Sequence, residues 1–256
     1  MIYALMIGRA GSQGFPNKNI KFLLNRRVCE YPLIAAKNSK YINKIFVSTD
    51  CPIIKKISKK YGAKLINRPK SLANNKALGD HVFEHGYKEI KKILNKKKNE
   101  IKFLVLLFAN APTINSEMID RGIKILKKNK KFDSAVSTSV YNMWSPLRAR
   151  KLSKDGTLRP FVPFNIFGNP KTLNCDRDSQ GDVYYADMSV SVVRPNCLEN
   201  LSKGLLPQKW MGKKIAPIQS ESGLDIDFEW QIPIVEHWLK KKGFKNKNVK
   251  RKKSSK

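Results

Sequence analysis

Six apolar residues at the start of the chain, Ile2 to Ile7, lead directly into a glycine-rich segment at 8–14. A continuous apolar run of this length predicts a strand buried on both faces, as in parallel sheets. Gly8 and Gly11 let the backbone come close to an anion and direct N–H groups toward it. The start of the chain therefore predicts a buried strand that feeds a loop of the right size for a phosphate.

Strand-length apolar runs alternate with helical segments along the rest of the chain. This alternation predicts a parallel α/β sheet covered by helices, and ligands of such sheets bind at the carboxyl ends of the strands. In the helix that begins at Pro52, we expect Ile53, Ile54 and Ile57 to point inward. Strands are expected at 44–50, 63–66, 103–108, 134–140 and 183–194, and helices at 31–39, 52–61, 79–95, 116–128 and 229–242.

Polar side chains lie close to the glycine-rich segment. Arg9, Lys18 and Asn19 are hydrogen-bond donors suited to phosphate oxygens. Asp50 and Asn110 each follow a predicted strand, so both are expected to face the same crevice as the glycine-rich loop. The loop matches neither GxxxxGKS/T nor GxGxxG, the two best-known phosphate motifs. A tight turn with surface charges is the alternative interpretation.

A cluster of acidic residues lies near the end of the chain. If this segment is extended, Asp225, Asp227 and Glu229 project to one side, while Ile226 and Phe228 anchor the other side in the core. Two carboxylates at this spacing are typical of a Mg²⁺ site, because Mg²⁺ binds one or two carboxylates together with substrate phosphate oxygens. A solvated edge with paired surface acids is the alternative interpretation.

Residues 174–182 are nearly all polar and lead into Tyr184, Tyr185 and Asp187. This composition suggests a segment that reads a substrate, and a hydrophilic loop is the alternative. The segment belongs to a longer stretch, 141–182, that is rich in proline and shows little helical periodicity. We expect this stretch to be an extended insertion, a hairpin arm that reaches a partner subunit.

The chain carries 51 lysines and arginines against 20 acidic residues, a formal net charge of +31. A charge of this size can indicate binding to nucleic acid. The lysines, however, are spread along the whole chain and are not interleaved with aromatic residues as a base-stacking surface requires. A lysine-rich solvated surface is therefore favoured over nucleic-acid binding, and such a surface also attracts small anions.

Other features of the sequence narrow the class of protein. No apolar stretch is long enough to cross a membrane, and the first residues do not resemble an export signal, so a cytoplasmic location is expected. The four cysteines are too widely spaced for a zinc site. Residues 245–256 are almost wholly lysine, asparagine, arginine and serine, which predicts a disordered tail.

Residues 8–19 resemble the N-terminal signature of the acylneuraminate cytidylyltransferases, the CMP-sialic acid synthetase family. Segments 47–50, 67–72, 106–112 and 225–227 follow in that family's order and approximate spacing. The glycine-rich loop and the Asp-x-Asp are the most specific parts of this resemblance. It extends over nearly the whole chain apart from the tail.

The resemblance implies a fold, a reaction and an assembly. Residues 1–244 would form one nucleotidyltransferase domain with a three-layer, Rossmann-like α/β fold and a mixed sheet, in which 141–182 are an inserted dimerisation arm. The anomeric hydroxyl of a sialic-acid-like (nonulosonic) sugar acid would attack the α-phosphate of CTP, and pyrophosphate would leave. Mg²⁺ is the implied cofactor, and a homodimer is the implied assembly.

The family's phosphate-handling residues carry over to matching positions of this chain. Asp225 and Asp227 are expected to bind Mg²⁺, which polarises the α-phosphate. Arg9, Lys18 and Asp227 are expected to carry the catalysis, since the reaction demands charge stabilisation and in-line positioning. The expected nucleotide-binding residues are Gly8, Arg9, Gly11, Ser12, Gly14, Lys18, Asn19, Arg68 and Asn110.

The sugar-handling residues match the family less well. Arg177 and Asp187 lie where the family reads its sugar, and Gln180 and Tyr184 are expected sugar contacts from the same polar segment. The family's sugar-side asparagine and tyrosine correspond here to Asp187 and Ser191. The resemblance therefore supports nucleotidyl transfer more strongly than it supports sialic acid as the acceptor.

Two further departures leave alternatives open. Gln13 replaces the family's common loop lysine, and residues 108–112 replace its Gln-Pro-Thr-Ser-Pro stretch. Three other substrates stay open: a related nonulosonic acid, another sugar, or another NTP. The chain could also be a relative of these enzymes that binds nucleotide without turnover. A glycosyltransferase is disfavoured because such enzymes usually carry their Asp-x-Asp after an early strand. A basic nucleic-acid-binding protein, with salt-sensitive binding to any polyanion, is the alternative from a different class.

Overall fold

The computed structural model describes residues 1–11, 14–95, 101–176, 180–221 and 223–245. The predicted strands and helices are confirmed, with ends that differ by two residues at most. The helices are α1 (Glu30–Asn38), α2 (Pro52–Lys60), α3 (Gly79–Leu94), α4 (Ser116–Lys128), α5 (Pro195–Glu199) and α6 (Gln231–Lys241). The strands are β1 (Ile2–Ile7), β2 (Phe22–Leu23), β3 (Arg26–Arg27), β4 (Lys44–Thr49), β5 (Lys64–Asn67), β6 (Phe103–Phe108), β7 (Ser134–Val140), β8 (Arg150–Leu152), β9 (Leu158–Pro160), β10 (Tyr184–Val193) and β11 (Ile215–Ser220).

Seven of these strands form one sheet in the order β11-β7-β10-β6-β1-β4-β5. β1 is parallel to both of its neighbours, β4 and β6, and β11 is parallel to β7. β10 is antiparallel to β6 and to β7. The sheet is therefore mixed, as the family resemblance implies, rather than wholly parallel as the alternation of elements alone predicts. The carboxyl ends of β1, β4 and β6 meet at one edge of the sheet.

Alternate residues of β1 point into two hydrophobic layers on opposite faces of the sheet. Ala4 and Met6 belong to the layer covered by α1, α2 and α4. Tyr3, Leu5 and Ile7 belong to the layer covered by α3 and α5. Burial on both faces explains why β1 is apolar at every position instead of alternating. Helices on both sides of the central sheet give the expected three-layer architecture.

A third hydrophobic cluster joins the two ends of the chain. Phe15 and Tyr31 from the N-terminal region pack in this cluster with Ile226 and with Trp238 of α6. The hydroxyl of Tyr31 donates a hydrogen bond to the carbonyl of Leu23 (2.6 Å), so the buried phenol is satisfied. This packing brings the acidic segment near residue 226 next to the glycine-rich loop.

The expectation that Ile53 points inward is wrong. Its side chain is 40% exposed, whereas Ile54 and Ile57 are buried together with Ser58. Residues 54, 57 and 58 follow the spacing of one helix face, and Ile53 lies about 100° away from Ile54 around the axis. The inward face of α2 is therefore narrower than its isoleucine content suggests.

The inserted stretch contains a short hairpin, in which β8 pairs antiparallel with β9. A hairpin in this arm was predicted, and its contact with a partner subunit stays a prediction. The tail predicted to be disordered lies outside the described residues apart from Lys245. Within the part of the chain that the structure describes, none of the helices combines the length and the apolar character needed to cross a bilayer.

Gly122 on α4 marks the closest packing of a helix against the sheet. A Cβ atom at this position would lie 2.5 Å from Cδ1 of Ile218 and 2.7 Å from Cγ2 of Val192. We expect Gly122→Val to lower the free energy of unfolding by about 1–3 kcal/mol through overpacking. Urea unfolding checks this, with Lys124→Val on the exposed side of the same helix as the matched control. Equal stability of the two variants would contradict the packing argument.

Candidate active site

A cleft of about 550 Å³ opens at the carboxyl ends of β1 and β6. It lies where ligands of α/β sheets bind. Apolar groups that sequence reasoning missed complete its lining: Ile7, Ala77, Gly79, Val82, Phe108 and Phe228. The structure brings together in it most of the residues expected to handle nucleotide and metal: Gly8, Arg9, Gly14, Lys18, Asn19, Arg68, Asn110, Asp225 and Asp227.

The backbone of the glycine-rich loop is held from two sides. At Gly8 a Cβ atom would lie 2.5 Å from the Cβ of Ala109, so only glycine lets the loops after β1 and β6 approach this closely. Gly11 has a φ of 66°, a left-handed conformation that favours glycine. Asp50, expected to face the crevice, accepts a hydrogen bond from the backbone N–H of Ala10 (2.9 Å). Asp50 therefore fixes the backbone of the loop and does not itself line the cleft.

Two of the expected nucleotide-binding side chains also shape the loop. Asn19 is buried, and its Nδ2 donates to the carbonyl of Arg9 (2.9 Å). Nη1 of Arg9 donates to the carbonyl of Gly11 (2.8 Å), so the guanidinium lies over its own loop. Ser12, the remaining expected member of this loop, lies outside the described residues.

Arg68 is a buried cation in the wall of the cleft. Its Nε donates to the carbonyl of Leu72 (2.8 Å), which fixes the plane of the guanidinium. Burial lowers the pKa of Arg68, the charge of Asp50 counteracts this shift, and the neighbouring charge of Arg9 adds to it. Because the pKa of arginine starts far above neutrality, the group stays charged. The cleft therefore holds a fixed positive charge that is only partly compensated.

The two carboxylates of the acidic segment face this positive charge. Asp227 forms an ion pair with Nζ of Lys18. Burial raises the pKa of Asp225, and the like charge of Asp227 raises it further, while Lys18 and the hydrogen bond from Asn110 act in the opposite direction. Nδ2 of Asn110 lies 3.2 Å from Oδ2 of Asp225. Asn110 therefore connects the loop after β6 to the acidic segment.

The acidic segment is fixed mainly through its backbone. Ile226 is buried, and its N–H donates to the carbonyl of Asn110 (2.8 Å). Oε1 of Gln231 accepts hydrogen bonds from the N–H groups of Asp227 (2.7 Å) and Phe228 (2.8 Å). The expectation that Phe228 anchors the core is wrong, because this turn leaves its side chain 55% exposed, where it lines the cleft.

The apolar wall of the cleft is built on the start of α3. Gly79 leaves room for Trp210, whose ring a Cβ atom at this position would meet at 3.3 Å. Trp210 packs edge-on against Phe83 (5.3 Å between ring centroids), which also packs against Phe108 (5.2 Å). Asp80 accepts a hydrogen bond from the N–H of Trp210 (2.9 Å). In the sequence, the only indication of this close packing is Gly79, a glycine at the start of a predicted helix.

Of the expected sugar-binding residues that the structure describes, none lines the cleft. Gln180 lines a separate cavity of about 410 Å³ within the arm and donates to the carbonyl of Cys175 (3.0 Å). Tyr184 is exposed at the start of β10. Asp187 is buried, with 5% of its surface exposed, and its carboxylate accepts hydrogen bonds from the hydroxyls of two serines on β7. Arg177 lies outside the described residues.

Tyr185, which follows the polar segment noted in the sequence, lies close enough to the paired carboxylates to feel their charge. Burial raises the pKa of Tyr185, and the charges of Asp225, Asp187 and Asp227 raise it further. The ring of Tyr185 packs against Trp144 (4.4 Å between centroids), which packs in turn against Tyr141 (4.6 Å). No periodic pattern marks these three residues, because they come from an irregular segment and from a strand end.

The donor set of the cleft suits a hard divalent cation that also binds a substrate. Among the described residues no group of three or more histidine, cysteine or acidic side chains is placed to hold a metal ion. Asp225 and Asp227 are two carboxylates, and Mg²⁺ typically takes one or two from the protein and further oxygens from phosphates and water. Glu229 is exposed and does not line the cleft.

A phosphate-sized glycine loop, fixed cations and paired carboxylates at the carboxyl edge of a three-layer α/β sheet define a protein of the nucleotidyltransferase class. Residues 4–155, more than half of the chain, match the sequence model of a family described as cytidylyltransferase. The chain belongs to the cytidylyltransferase family.

Curated relatives carry names consistent with this family. A pseudaminic acid cytidylyltransferase fused to a hydrolase from Helicobacter pylori is 29% identical over 58% of this chain and 28% of its own length. An N-acylneuraminate cytidylyltransferase from Escherichia coli is 28% identical over 62% of this chain and 36% of its own. A 3-deoxy-manno-octulosonate cytidylyltransferase from Thermodesulfovibrio yellowstonii is 30% identical over 80% of this chain and 70% of its own. The chain thus matches well under half the length of the first two.

Solved structures share the fold. A CMP:2-keto-3-deoxy-manno-octonic acid synthetase complexed with CTP superimposes with a TM-score of 0.65 at 12% identity, over 94% of this chain and 99% of that one. A 4-diphosphocytidyl-2C-methyl-D-erythritol synthase from Anaerococcus prevotii gives a TM-score of 0.61 at 15% identity, over 93% and 96%. The predicted fold class is confirmed.

Proposed function

We propose that this chain transfers CMP from CTP to the anomeric hydroxyl of a sialic-acid-like (nonulosonic) sugar acid and releases pyrophosphate. The observation that carries the proposal is the meeting of Lys18 with Asp225 and Asp227 in one cleft, although about two hundred positions separate them in the sequence. Membership of the cytidylyltransferase family and the names of the relatives support CTP as the nucleotide.

The cleft is suited to a triphosphate and to the charge that develops during its cleavage. Arg9, Lys18 and Arg68 supply positive charge, and the two arginines are already held by backbone carbonyls. Cations that are fixed before the reaction stabilise developing charge without reorganisation. Gly8 and Gly14 leave the backbone accessible to phosphate oxygens. We assign to these groups the binding of the phosphates and their alignment for in-line attack.

Mg²⁺ is the proposed cofactor, and the residues of the cleft fit it. Burial and the like charge of Asp227 disfavour the ionised form of Asp225, and a bound cation would relieve both effects. Asp225 and Asp227 would hold the ion, and Asn110 would orient Asp225 through its hydrogen bond. When bound, Mg²⁺ polarises the α-phosphate and neutralises charge on the phosphate oxygens.

The acceptor is proposed from the relatives and from the wall of the site. Relatives named for pseudaminic acid and N-acylneuraminate support a nonulosonic acid. Tyr185, whose pKa is raised in part by the charges of Asp225 and Asp227, packs against Trp144, and the two rings offer an aromatic face for the apolar side of a sugar. The relative named for 3-deoxy-manno-octulosonate, which matches 80% of this chain, favours that shorter sugar acid as the second candidate.

Pyrophosphate release with each of the four NTPs, Mg²⁺ and a panel of sugar acids tests the proposal. We expect release with CTP and one nonulosonic acid, and no release without the metal. Release with 3-deoxy-manno-octulosonate alone would replace the acceptor, and release with another NTP would replace the nucleotide. No release from folded protein with any pair would overturn the proposed reaction.

We also propose that two copies of the chain associate through the inserted arm. The arm exposes several large apolar side chains, although such groups are rarely left in contact with water over a wide area. A second copy of the same arm would cover them in a symmetric interface. The exposed apolar residues are Leu152, Leu158, Phe161 and Ile166.

Leu158→Asp is expected to convert a dimer into a monomer, because a symmetric interface would bury the new charge twice without a partner. Light scattering after size exclusion checks this, since the mass should fall to that of one chain, 29.3 kDa. Lys154→Asp, at an exposed position in the same hairpin, is the matched control and should keep the mass of the original. A monomeric original protein would contradict the proposed assembly.

A further inference from the structure

Asp187 makes contacts that differ from those of a sugar-binding residue. Its Oδ1 accepts hydrogen bonds from Oγ of Ser137 and from the N–H of Ser189 (3.0 Å), and its Oδ2 accepts one from Oγ of Ser139 (3.0 Å). No lysine or arginine within the described residues forms an ion pair with it. Both carboxylate oxygens of Asp187 are therefore already engaged by groups of the protein.

A bulge in β10 turns Asp187 toward β7. The pairing of β10 with β7 shifts register between Ala186 and Ser191, and Met188 within this shift has a φ of 55°. A left-handed conformation is unfavourable for a residue with a side chain and persists only where surrounding contacts impose it. Bulges of this kind re-aim side chains next to active sites. Here the side chain that is re-aimed is that of Asp187.

Ser139 connects Asp187 to the acidic segment. Its Oγ donates to Asp187 and accepts a hydrogen bond from the N–H of Gly223 (2.8 Å). A serine hydroxyl has a single proton, and because Ser139 donates it to Asp187, its lone pairs are directed to the N–H of Gly223. At Gly223 a Cβ atom would lie 2.0 Å from Cγ of Asp187, so only glycine fits there.

Hydrogen bonds fix each of the three residues that follow Gly223, as far as the acidic segment that lines the cleft. The N–H of Leu224 donates to Oγ1 of Thr113 (2.8 Å). Asn110 then holds Asp225 by its side chain and Ile226 by its carbonyl. Gly223 is two residues before Asp225, so a displacement at Gly223 is transmitted to Asp225 within a short, fixed segment.

We propose that Asp187 is a positioning residue, which orients Ser139 so that Gly223, and with it the loop that carries Asp225 and Asp227, keeps the geometry needed to bind the metal. The effect of Asp187 on catalysis rests on the proposed function. Its effect on the geometry of the loop does not depend on that function. Asp187 therefore acts on the nucleotide and metal side of the cleft and does not contact the sugar.

Hydrogen–deuterium exchange tests the loop geometry without any turnover. In Asp187→Ala, amide exchange in a peptide that covers 223–227 is expected to be about ten-fold faster, because the acceptor of Gly223 is no longer held in place. Exchange in β1 should be unchanged. Asp187→Asn keeps the side-chain volume but has one acceptor oxygen for two serines, so it should give an intermediate rate. Unchanged exchange at 223–227 in Asp187→Ala and Asp187→Asn would overturn the proposal.

Kinetics separate positioning from sugar recognition. Asp187→Ala and Ser139→Ala are each expected to lower kcat and to raise the Mg²⁺ concentration for half-maximal activity by about ten-fold, as for outer partners of metal ligands. The KM for the sugar acid should change by less than about two-fold, since no contact with the sugar is lost. The double variant should be no worse than either single variant, because both break the same link.

Two kinetic results would contradict the positioning role. A raised KM for the sugar with an unchanged Mg²⁺ requirement would return Asp187 to the sugar site. Effects of Asp187→Ala and Ser139→Ala that multiply in the double variant would show that the two residues act independently. If Asp187→Ala does not fold, Asp187→Asn carries the same comparison. Absence of turnover in the original protein, with faster exchange at 223–227 in the variants, would overturn the proposed reaction and support the positioning role.

Discussion

Asp227→Asn is expected to lower kcat/KM for pyrophosphate release by about 100- to 1000-fold, comparable to the loss of a group that stabilises transition-state charge. The substitution keeps the size of the side chain but removes the negative charge proposed to hold Mg²⁺. The backbone contact of residue 227 with Gln231 is unaffected, since it runs through the N–H group. The effect should therefore be chemical, with little change in the fold.

The free energy of unfolding should stay within about 1 kcal/mol, because the ion pair of Asp227 with Lys18 is partly exposed and such pairs contribute little. Glu229→Gln is the matched control: it makes the same chemical change two positions further along, on an exposed residue outside the cleft. We expect near-original activity for the control. Near-original activity in Asp227→Asn as well would refute the assignment of Asp227 to the metal.

The order and type of the main elements were predictable from the sequence, for a physical reason. β1 is buried on both faces, so its six positions are all apolar, and a doubly buried strand is the simplest explanation of such a run. The mixed character of the sheet was not predictable from periodicity. β10 is largely apolar over its last residues, as the parallel strands of the sheet are, and only the connection through the arm reverses its direction.

The meeting of Gly8, Arg9 and Asn110 in the cleft was predictable because these residues lie on short loops directly after strands. Gly8, Arg9 and Asn110 follow β1 and β6, and the sheet itself brings such positions together. The inward Ile226 between Asp225 and Asp227 was also predicted from alternation. The exposed position of Phe228 was not predicted. Oε1 of Gln231 accepts hydrogen bonds from the N–H groups of Asp227 and Phe228, and the chain therefore turns after Ile226.

The position of Gln180, Tyr184 and Asp187 outside the cleft was not predictable for two reasons. The polar segment that holds or precedes them is irregular, and no period fixes which way its side chains point. The direction of Asp187 depends on a bulge, and a bulge moves a side chain to the other face without a compositional signal. Tyr185 was named with the polar segment but not assigned a contact, because its packing against Trp144 is a tertiary contact without a sequence signal.

Lys18→Ala is expected to raise the KM for CTP by about 10- to 100-fold, since a charge-assisted contact to a phosphate contributes about 1.5–3 kcal/mol. Nζ of Lys18 is the cation nearest to Asp227, and its side chain is 20% exposed at the wall of the cleft. Lys21→Ala is the matched control, because Lys21 is exposed and lies over the ring of Phe15 outside the cleft. An increase confined to the KM for the sugar acid would contradict the assignment of Lys18 to the phosphates.

The same substitution should also shift the pH profile. The pKa of Asp225 is already raised by burial and by Asp227, and the charge of Lys18 opposes this shift. Without Lys18 the pKa rises further, so the ionised form proposed to bind Mg²⁺ is lost at a higher pH as the solution is acidified. The acid limb of the kcat/KM profile should therefore move toward higher pH in Lys18→Ala and stay in place in Lys21→Ala. An acid limb that stays in place or moves toward lower pH would mean that Lys18 does not lower the pKa of Asp225, and it would contradict the charge coupling between the glycine-rich loop and the acidic segment.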